Sequence, residues 1–151
     1  MSRFTFRLEQ VRALREQAER QANEALARQL AVVARHESAL ADVHAATDAA
    51  RAKSAVPPGE TVGPHELVAR QAYVERLERG RDTAALRLAQ EEREAEARRA
   101  LLGAAARDHQ ALERARTRAE EAHRVAEAKA ADEELGEVAL ATFRRATGDS
   151  A

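Results

Sequence analysis

The side chains best suited to chemistry in this sequence are five histidines, because imidazole binds metals and transfers protons near neutral pH. His36 falls on the apolar face of a predicted N-terminal helix, and His109 and His123 fall in one row of a later helix. No two histidines have the i, i+4 spacing of an HExxH zinc motif, and no carboxylate converges with them at a defined offset. Polar residues between paired helices more often fix their register. We therefore predict structural histidines and no metal site.

Other catalytic signals are also missing from the sequence. It has no cysteine, no glycine-rich phosphate loop, no nucleophile elbow and no Ser/His/Asp context. Its carboxylates alternate with arginines in a solvated ladder, which consists of Arg12, Glu16, Arg20, Glu24 and Arg28. We expect no enzyme, no catalytic residues, no cofactor and no small-molecule substrate.

Charge and hydropathy exclude two further classes of partner. The net charge is −1 and no basic run is interleaved with aromatics, so we expect no nucleic-acid partner. No apolar run is long enough to span a membrane, and the N-terminus lacks the apolar region of a secretory signal. The sequence predicts a cytoplasmic protein.

The elements that position these residues are set by one proline-rich stretch, Ser54–Pro64. It contains all three prolines, which rule out a continuous helix. The flanking sequence is rich in Ala, Leu, Arg, Glu and Gln, with 3% aromatic and 34% charged residues over the whole chain, a composition typical of long helices or coiled coils. We predict a single elongated domain over residues 1–151, with helices at 3–53 and 65–145 and a bend at 54–64. Ser2 or Thr5 is expected to cap the first helix, and Gly63 the second.

Heptad rows support pairing of the two helices. In the first helix the predicted row is Val11, Ala18, Ala25, Val32, Ala39 and Ala46. One row of the second helix is Leu67, Val74, Arg81, Leu88, Ala95, Leu102, His109, Arg116, His123 and Ala130, and the other is Arg70, Leu77, Ala84, Glu91, Arg98, Ala105, Leu112, Ala119 and Ala126. The fold class is thus all-α, an antiparallel two-helix coiled-coil hairpin whose second helix is longer than the first.

The predicted register leaves about thirty C-terminal residues of the second helix overhanging. It sets Leu40 and Val43 against Val74 and Leu77, and the small Ala18 and Ala22 against Leu101 and Leu102. An alternative fold breaks the second helix at Gly80 and pairs the first helix with about 95–145.

Two stretches suggest contacts with other proteins. We call the heptad-row positions that face the other helix the seam. One stripe beside the seam of the second helix contains Tyr73, Leu77, Gly80 and Ala84, which predicts a partly exposed aromatic near the bend. Near the C-terminus, acidic residues precede an apolar cluster that points in several directions around a helix, namely Leu135, Val138, Leu140 and Phe143.

The N-terminal sequence FTFRLEQVRALREQ resembles the start of the FliJ family, a coiled-coil component of the bacterial flagellar type III export apparatus. The matching residues are Phe4, Phe6, Leu8, Val11, Leu14, Arg15 and Glu16. The segment AYVERLE (72–78) is similar to the family's aromatic-aliphatic-x-x-Leu segment, and EELGEVALATFRR to its C-terminal acidic, aliphatic and Phe-Arg run.

The resemblance implies a non-enzymatic stalk that binds the hexameric export ATPase and the membrane export gate, coupling ATP hydrolysis to subunit export. Some members also handle export chaperones. The family's gate-binding residues map to Tyr73 and Leu77, with Gly80 and Ala84 following on the same stripe. By analogy with rotary ATPase stalks, the end that holds both termini enters the ring, so the expected ATPase-binding residues are Phe4, Phe6, Leu8, Val11, Arg15 and Phe143.

The implied location is the cytoplasmic face of the inner membrane at the flagellar base. Two alternatives stay open at this point. One is the equivalent stalk of a virulence type III secretion system, and the other is a generic structural coiled coil that self-associates through its overhang.

Overall fold

The computed structural model describes residues 4–148 and contains two α-helices. Helix α1 spans Glu9–Ser54 (46 residues) and helix α2 spans Pro64–Gly148 (85 residues). The helices contact each other as a hairpin, and the described residues contain no strand, which confirms the predicted fold class. The chain forms two compact units: a central unit, Arg20–Ala104, and a terminal unit, which comprises residues 4–19 and 105–148 of the described chain.

The helix ends follow local chemistry. Helix α1 begins at Glu9, later than the expected start at Arg3 and too late for Thr5 to cap it, and Ser2 lies outside the described residues. At the bend, the Glu60 amide donates to the Pro57 carbonyl at 3.1 Å, and Gly59 has φ +93°. Proline followed by a positive-φ glycine at the centre of such a turn is typical of type II.

The Gly63 carbonyl accepts hydrogen bonds from the amides of Glu66 and Leu67, both at 3.1 Å, so Gly63 caps α2 as predicted. Helix α2 runs through Gly80 without a break, so the alternative fold is wrong. A single interior glycine costs a helix only about 1 kcal/mol, which is too little to interrupt so long a helix.

The seam of α1 in the central unit differs from the predicted row. Ala39 and Ala46 are exposed, whereas the buried and half-buried positions repeat at three and four residues: Leu26, Gln29, Val33, His36, Leu40, Val43, Thr47 and Ala50. This rotation follows from size, because leucine and valine gain more from burial than alanine does. The predicted row was therefore wrong at Ala39 and Ala46, whereas its Val32 is half-buried.

The seam of α2 follows the two predicted rows. Val74 and Ala95 are buried, and the other row members from Arg70 to Leu102 are half-buried. Only the ends of the two rows differ from the prediction, because Leu67, Ala126 and Ala130 are exposed.

Two contacts fix the helix register of the central unit. The Gln29 amide nitrogen donates to a Glu91 carboxylate oxygen at 2.6 Å, and Arg51 pairs with Glu78 at 2.5 Å. Leu40 lies midway between Gln29 and Arg51, so it is level with residues between 78 and 91 of α2. The predicted pairing of Leu40 and Val43 with Val74 and Leu77 is therefore wrong, by about two helical turns. Leu101, expected to fill space opposite alanines, is 66% exposed.

The terminal unit holds the N-terminal segment against α2. The rings of Phe4 and His123 meet edge to face, with centroids 5.5 Å apart and an interplanar angle of 65°. Beyond Glu127 every described side chain is exposed, through Thr147. The C-terminal overhang, Ala128–Thr147, is thus shorter than predicted, because the register of the helix pair is displaced and Phe4 lies against His123 rather than near Arg114.

Candidate protein-binding surfaces

The predicted gate-binding residues lie on successive turns of α2 in the central unit and form what we call the Tyr73 stripe: Tyr73, Leu77, Gly80 and Ala84. Tyr73 is 50% exposed, and Gly80 is also exposed. Leu77 and Ala84 are half-buried members of the seam row. The stripe therefore combines two accessible positions with two that support the helix pair.

Tyr73 borders an open cavity of about 580 Å³ beside the bend. Its walls are formed by residues at the end of α1, in the bend and at the start of α2: Ala50, Ala52, Lys53, Ser54, Ala55, Pro57, Glu60 and Arg70. The Arg76 guanidinium carbon lies 5.8 Å from the Tyr73 ring centroid, a cation–π contact that orders the aromatic ring. An ordered, half-exposed aromatic beside a concavity is a common anchor for a partner protein.

Arg70 forms one wall of this cavity and is held from both sides. It donates to the Lys53 carbonyl at 3.2 Å and to a Glu66 carboxylate oxygen at 2.6 Å. The first contact ties the start of α2 to the end of α1. The cavity therefore has a defined shape next to Tyr73.

Gly80 leaves open space on the stripe. A Cβ built at this position meets no heavy atom within 4 Å. A partner can approach the α2 backbone closely here, and a larger side chain would fit the helix while covering the surface.

The predicted ATPase-binding residues of the N-terminus are partly engaged within the terminal unit. Phe4 and Phe6 are half-buried, Phe4 against His123, whereas Leu8 and Val11 are 43% and 40% exposed. Arg15 is half-exposed and lies 3.2 Å from the Asp108 carboxylate. This group therefore stabilises the terminal unit and also presents apolar surface.

Phe143 is not brought to the same place. It is 67% exposed on the overhang, twenty residues beyond the His123 that Phe4 contacts. Along a helix that separation is about 30 Å. The predicted ATPase-binding residues thus form two separate surfaces.

A charged cluster in the terminal unit was not predicted. Arg12, assigned to a solvated ladder, has a side chain only 17% exposed and donates to Glu113 and to Glu9, each at 2.6 Å. The hydrogen bonds from Arg12 hold the pKa values of both carboxyls below their ordinary value, and these contacts raise the pKa of Arg12. The terminal seam is therefore ionic at this level.

Two seam histidines of this unit also lie close to carboxylates. His109 Nδ1 lies 2.7 Å from a Glu19 carboxylate oxygen, and its Nε2 lies 3.4 Å from Glu113 without hydrogen-bond geometry. His123 Nδ1 lies 3.7 Å from Glu127. In residues 4–148 no group of three or more His, Asp or Glu side chains is arranged to hold a metal ion.

The burial of Arg12 had a signal in the sequence that the alanine row obscured. Leu40, Val33 and Leu26 are spaced seven residues apart, and the same spacing continues towards the N-terminus through Glu19 to Arg12. That row predicts a charged continuation of an aliphatic seam. The cation–π contact of Arg76 and the cavity beside Tyr73 had no comparable signal, because both depend on the path of the bend.

The comparisons with known proteins agree with this architecture. The sequence model of the family described as flagellar FliJ protein matches residues 4–148. No curated protein and no solved structure gives a match. Because the match covers nearly the whole chain, this protein belongs to the FliJ family.

Membership implies a stalk role in the flagellar export apparatus, in a family of structural and adaptor proteins. Within the described residues no helix is long and apolar enough to cross a lipid bilayer.

Proposed function

We propose that this protein binds the hexameric flagellar export ATPase and the membrane export gate through different surfaces and so couples ATP hydrolysis to subunit export. The observation that carries the proposal is the family match over residues 4–148. The proposed location is the cytoplasmic face of the inner membrane at the flagellar base, and export chaperones are proposed as further partners.

The Tyr73 stripe is the proposed gate-binding surface. Support comes from the half-exposed aromatic, the adjoining cavity and the open space at Gly80. Leu77 and Ala84 contribute by holding α2 in place, since both lie in the seam. A partner segment with an apolar side chain would fit beside the Tyr73 ring.

The proposed ATPase-binding residues form two separate surfaces, one at the N-terminal residues and one at Phe143. Support comes from the exposed apolar area at Leu8 and Val11 and the exposed ring of Phe143. Aromatic residues in such positions are frequent anchors at protein interfaces. Arg15 lies at the edge of this area, paired with Asp108.

Tyr73→Ala tests the gate assignment. Tyr73 is half-exposed and lies outside the seam, so the variant should keep its helical content and its ATPase binding while losing gate binding and motility. Leu86→Ala is the matched control, because Leu86 is a 71% exposed residue of the same helix. Normal swimming and gate binding by the Tyr73→Ala strain would refute the stripe as the gate contact.

Gly80→Gln sharpens the same test. The open space at Gly80 accommodates the side chain, and replacing glycine should favour the helix by about 1 kcal/mol. We expect higher thermal stability together with weaker gate binding. Unchanged gate binding would place the contact elsewhere on the chain.

A further inference from the structure

The C-terminal overhang, Ala128–Thr147, carries apolar surface that nothing in the described chain covers. On one side of this helix, Leu135 (68% exposed) and Val138 (64%) are strongly exposed, and Phe143 (67%) lies at the edge of the same side. Exposed apolar residues are ordinary when scattered singly, but three on one side of a helix within nine residues indicate a binding surface.

This apolar surface is not a continuation of the hairpin seam. The seam row that contains His123 continues through Ala130, Glu137 and Arg144, and the row that contains Ala126 continues through Glu133, Leu140 and Thr147, so the seam side becomes polar apart from Leu140. At about 100° per residue, Leu135 lies on the opposite side of the helix from Glu137. The occupant of the apolar side is therefore not an extension of α1.

The apolar side is a continuous face formed by small and aliphatic residues: Ala128, Ala131, Leu135, Val138, Ala139, Thr142 and Ala146. The Thr142 hydroxyl donates to the Val138 carbonyl at 2.5 Å, so its own helix satisfies it and the methyl group remains for packing. The face suits close approach of a second helix.

We infer that this face binds the overhang of a second copy of the chain, antiparallel to the first. In an antiparallel helix pair with two-fold symmetry, each flank of one helix meets the same flank of the other. Gly136 and Phe143 lie on one flank of the face, and Glu134 and Arg145 on the other. Each flank therefore contains both members of a complementary pair.

The two flanks specify the same register. Phe143 over Gly136 of the other copy places the two-fold axis between Ala139 and Leu140. Glu134 opposite Arg145 of the other copy places the axis at the same point. In this register Leu135 falls between the levels of Thr142 and Ala146 of the other copy, where an aliphatic side chain fills the space between smaller ones.

No contact within the described chain accounts for Gly136, Glu134 or Arg145. A Cβ at Gly136 meets nothing within 4 Å, so no contact within the chain requires glycine there, although glycine weakens a helix. Neither Glu134 nor Arg145 forms an ion pair with another described residue, whereas Lys129 pairs with Glu133 at 3.8 Å. A second copy gives the glycine and both charges a role.

Charge reversal gives the decisive experiment. Glu134→Arg or Arg145→Glu alone places like charges together on both sides of the axis, and sedimentation should show self-association weakened by about tenfold. An equimolar mixture of the two variants restores both opposite-charge pairs and should associate as strongly as the wild-type chain. A monomeric wild-type chain, or a mixture as weak as the single variants, would overturn the proposal.

Gly136→Gln separates this contact from helix stability. The substitution favours the helix but fills the space over which Phe143 packs, so thermal stability should rise while self-association weakens. Self-association that is unchanged or strengthened would contradict the register.

Spin labels test the antiparallel direction directly. The chain has no cysteine, so single labels can be placed at Ala141 and, separately, at Lys129. Two copies labelled at Ala141 should lie close together, whereas labels at Lys129 should be about 30 Å apart along the helix axis. Short distances at both positions would indicate parallel pairing and refute the inference. The proposal does not rest on ATPase or gate binding, and it is measured on the isolated chain. Because it covers Phe143, self-association and ATPase binding through Phe143 exclude each other.

Discussion

The two compact units join their helices by different means. In the central unit the seam is mainly aliphatic, with Val33, Val74 and Ala95 buried and one amide, Gln29, among them. In the terminal unit the corresponding positions include Arg12, which forms an ion pair with Glu113, and His109, which contacts the Glu19 carboxylate. Apolar burial carries no charge and is not weakened by acid or by salt screening, whereas partly exposed ion pairs are weakened by both. The comparison indicates that the central unit carries most of the stability and that the terminal unit responds to solution conditions.

The largest expected effect comes from placing a charge in the aliphatic seam. Val74→Asp buries an unpaired carboxylate at a position only 6% exposed, so we expect a loss of about 3 kcal/mol or more in the free energy of unfolding. Val68→Asp is the control, because Val68 is 67% exposed on the same helix and should change stability by about 0.5 kcal/mol or less. Similar losses in urea denaturation of the two variants would refute the assignment of the α2 seam.

The single amide of the central seam should have a smaller effect. The Gln29 side chain donates to the Glu91 carbonyl at 3.1 Å and to its carboxylate at 2.6 Å. Gln29→Leu leaves the half-buried carboxylate without this donor, and we expect a loss of about 1–3 kcal/mol.

Replacing both Gln29 and Glu91 with leucine should recover that stability, because no polar group is then left unpaired. The recovered protein should also show a broader distribution of spin-label distances across the helices, since the residue pair that fixes register is gone. A double variant less stable than Gln29→Leu alone would contradict this role for the amide.

The smallest and most local effect is expected on acidification. The pKa values of Glu9 and Glu113 are lowered in the folded chain by hydrogen bonds from Arg12. A group with a lowered folded-state pKa contributes stability that is full above its unfolded-state pKa and is lost as pH falls through the folded-state value. Below about pH 4.5, amide resonances of residues 9–19 and 105–120 should therefore broaden or shift before those of residues 26–50.

The Arg12→Met variant supplies the control for this pH effect. It keeps a long side chain but removes the guanidinium, so the low-pH change in the terminal unit should become shallower. An unaltered pH profile in Arg12→Met would show that the ionic seam does not set the acid response.

The sequence predicted the two α2 rows well because large and small residues recur there at strict seven-residue intervals. It misplaced Ala39 and Ala46 of the α1 row because an alanine series and an aliphatic series run side by side, and only burial decides between them. Tyr73 was expected to be exposed near the bend and is half-exposed. The burial of Arg12 was missed because the alanine series obscured the aliphatic series that continues through Glu19 to Arg12. Its partner Glu113 could not be predicted, because the predicted helix register was wrong by about two turns.

The central functional claim is that one chain binds the export ATPase and the export gate at the same time. The direct measurement is sequential capture: immobilised ATPase binds the full-length chain, and the captured chain is then exposed to the cytoplasmic domain of the gate protein. We expect the wild-type and Leu86→Ala chains to retain the gate domain, and the Tyr73→Ala chain to bind the ATPase equally well but to retain none. Release of the chain from the ATPase when the gate domain is added would contradict the account, because it would mean that the two partners compete for one surface.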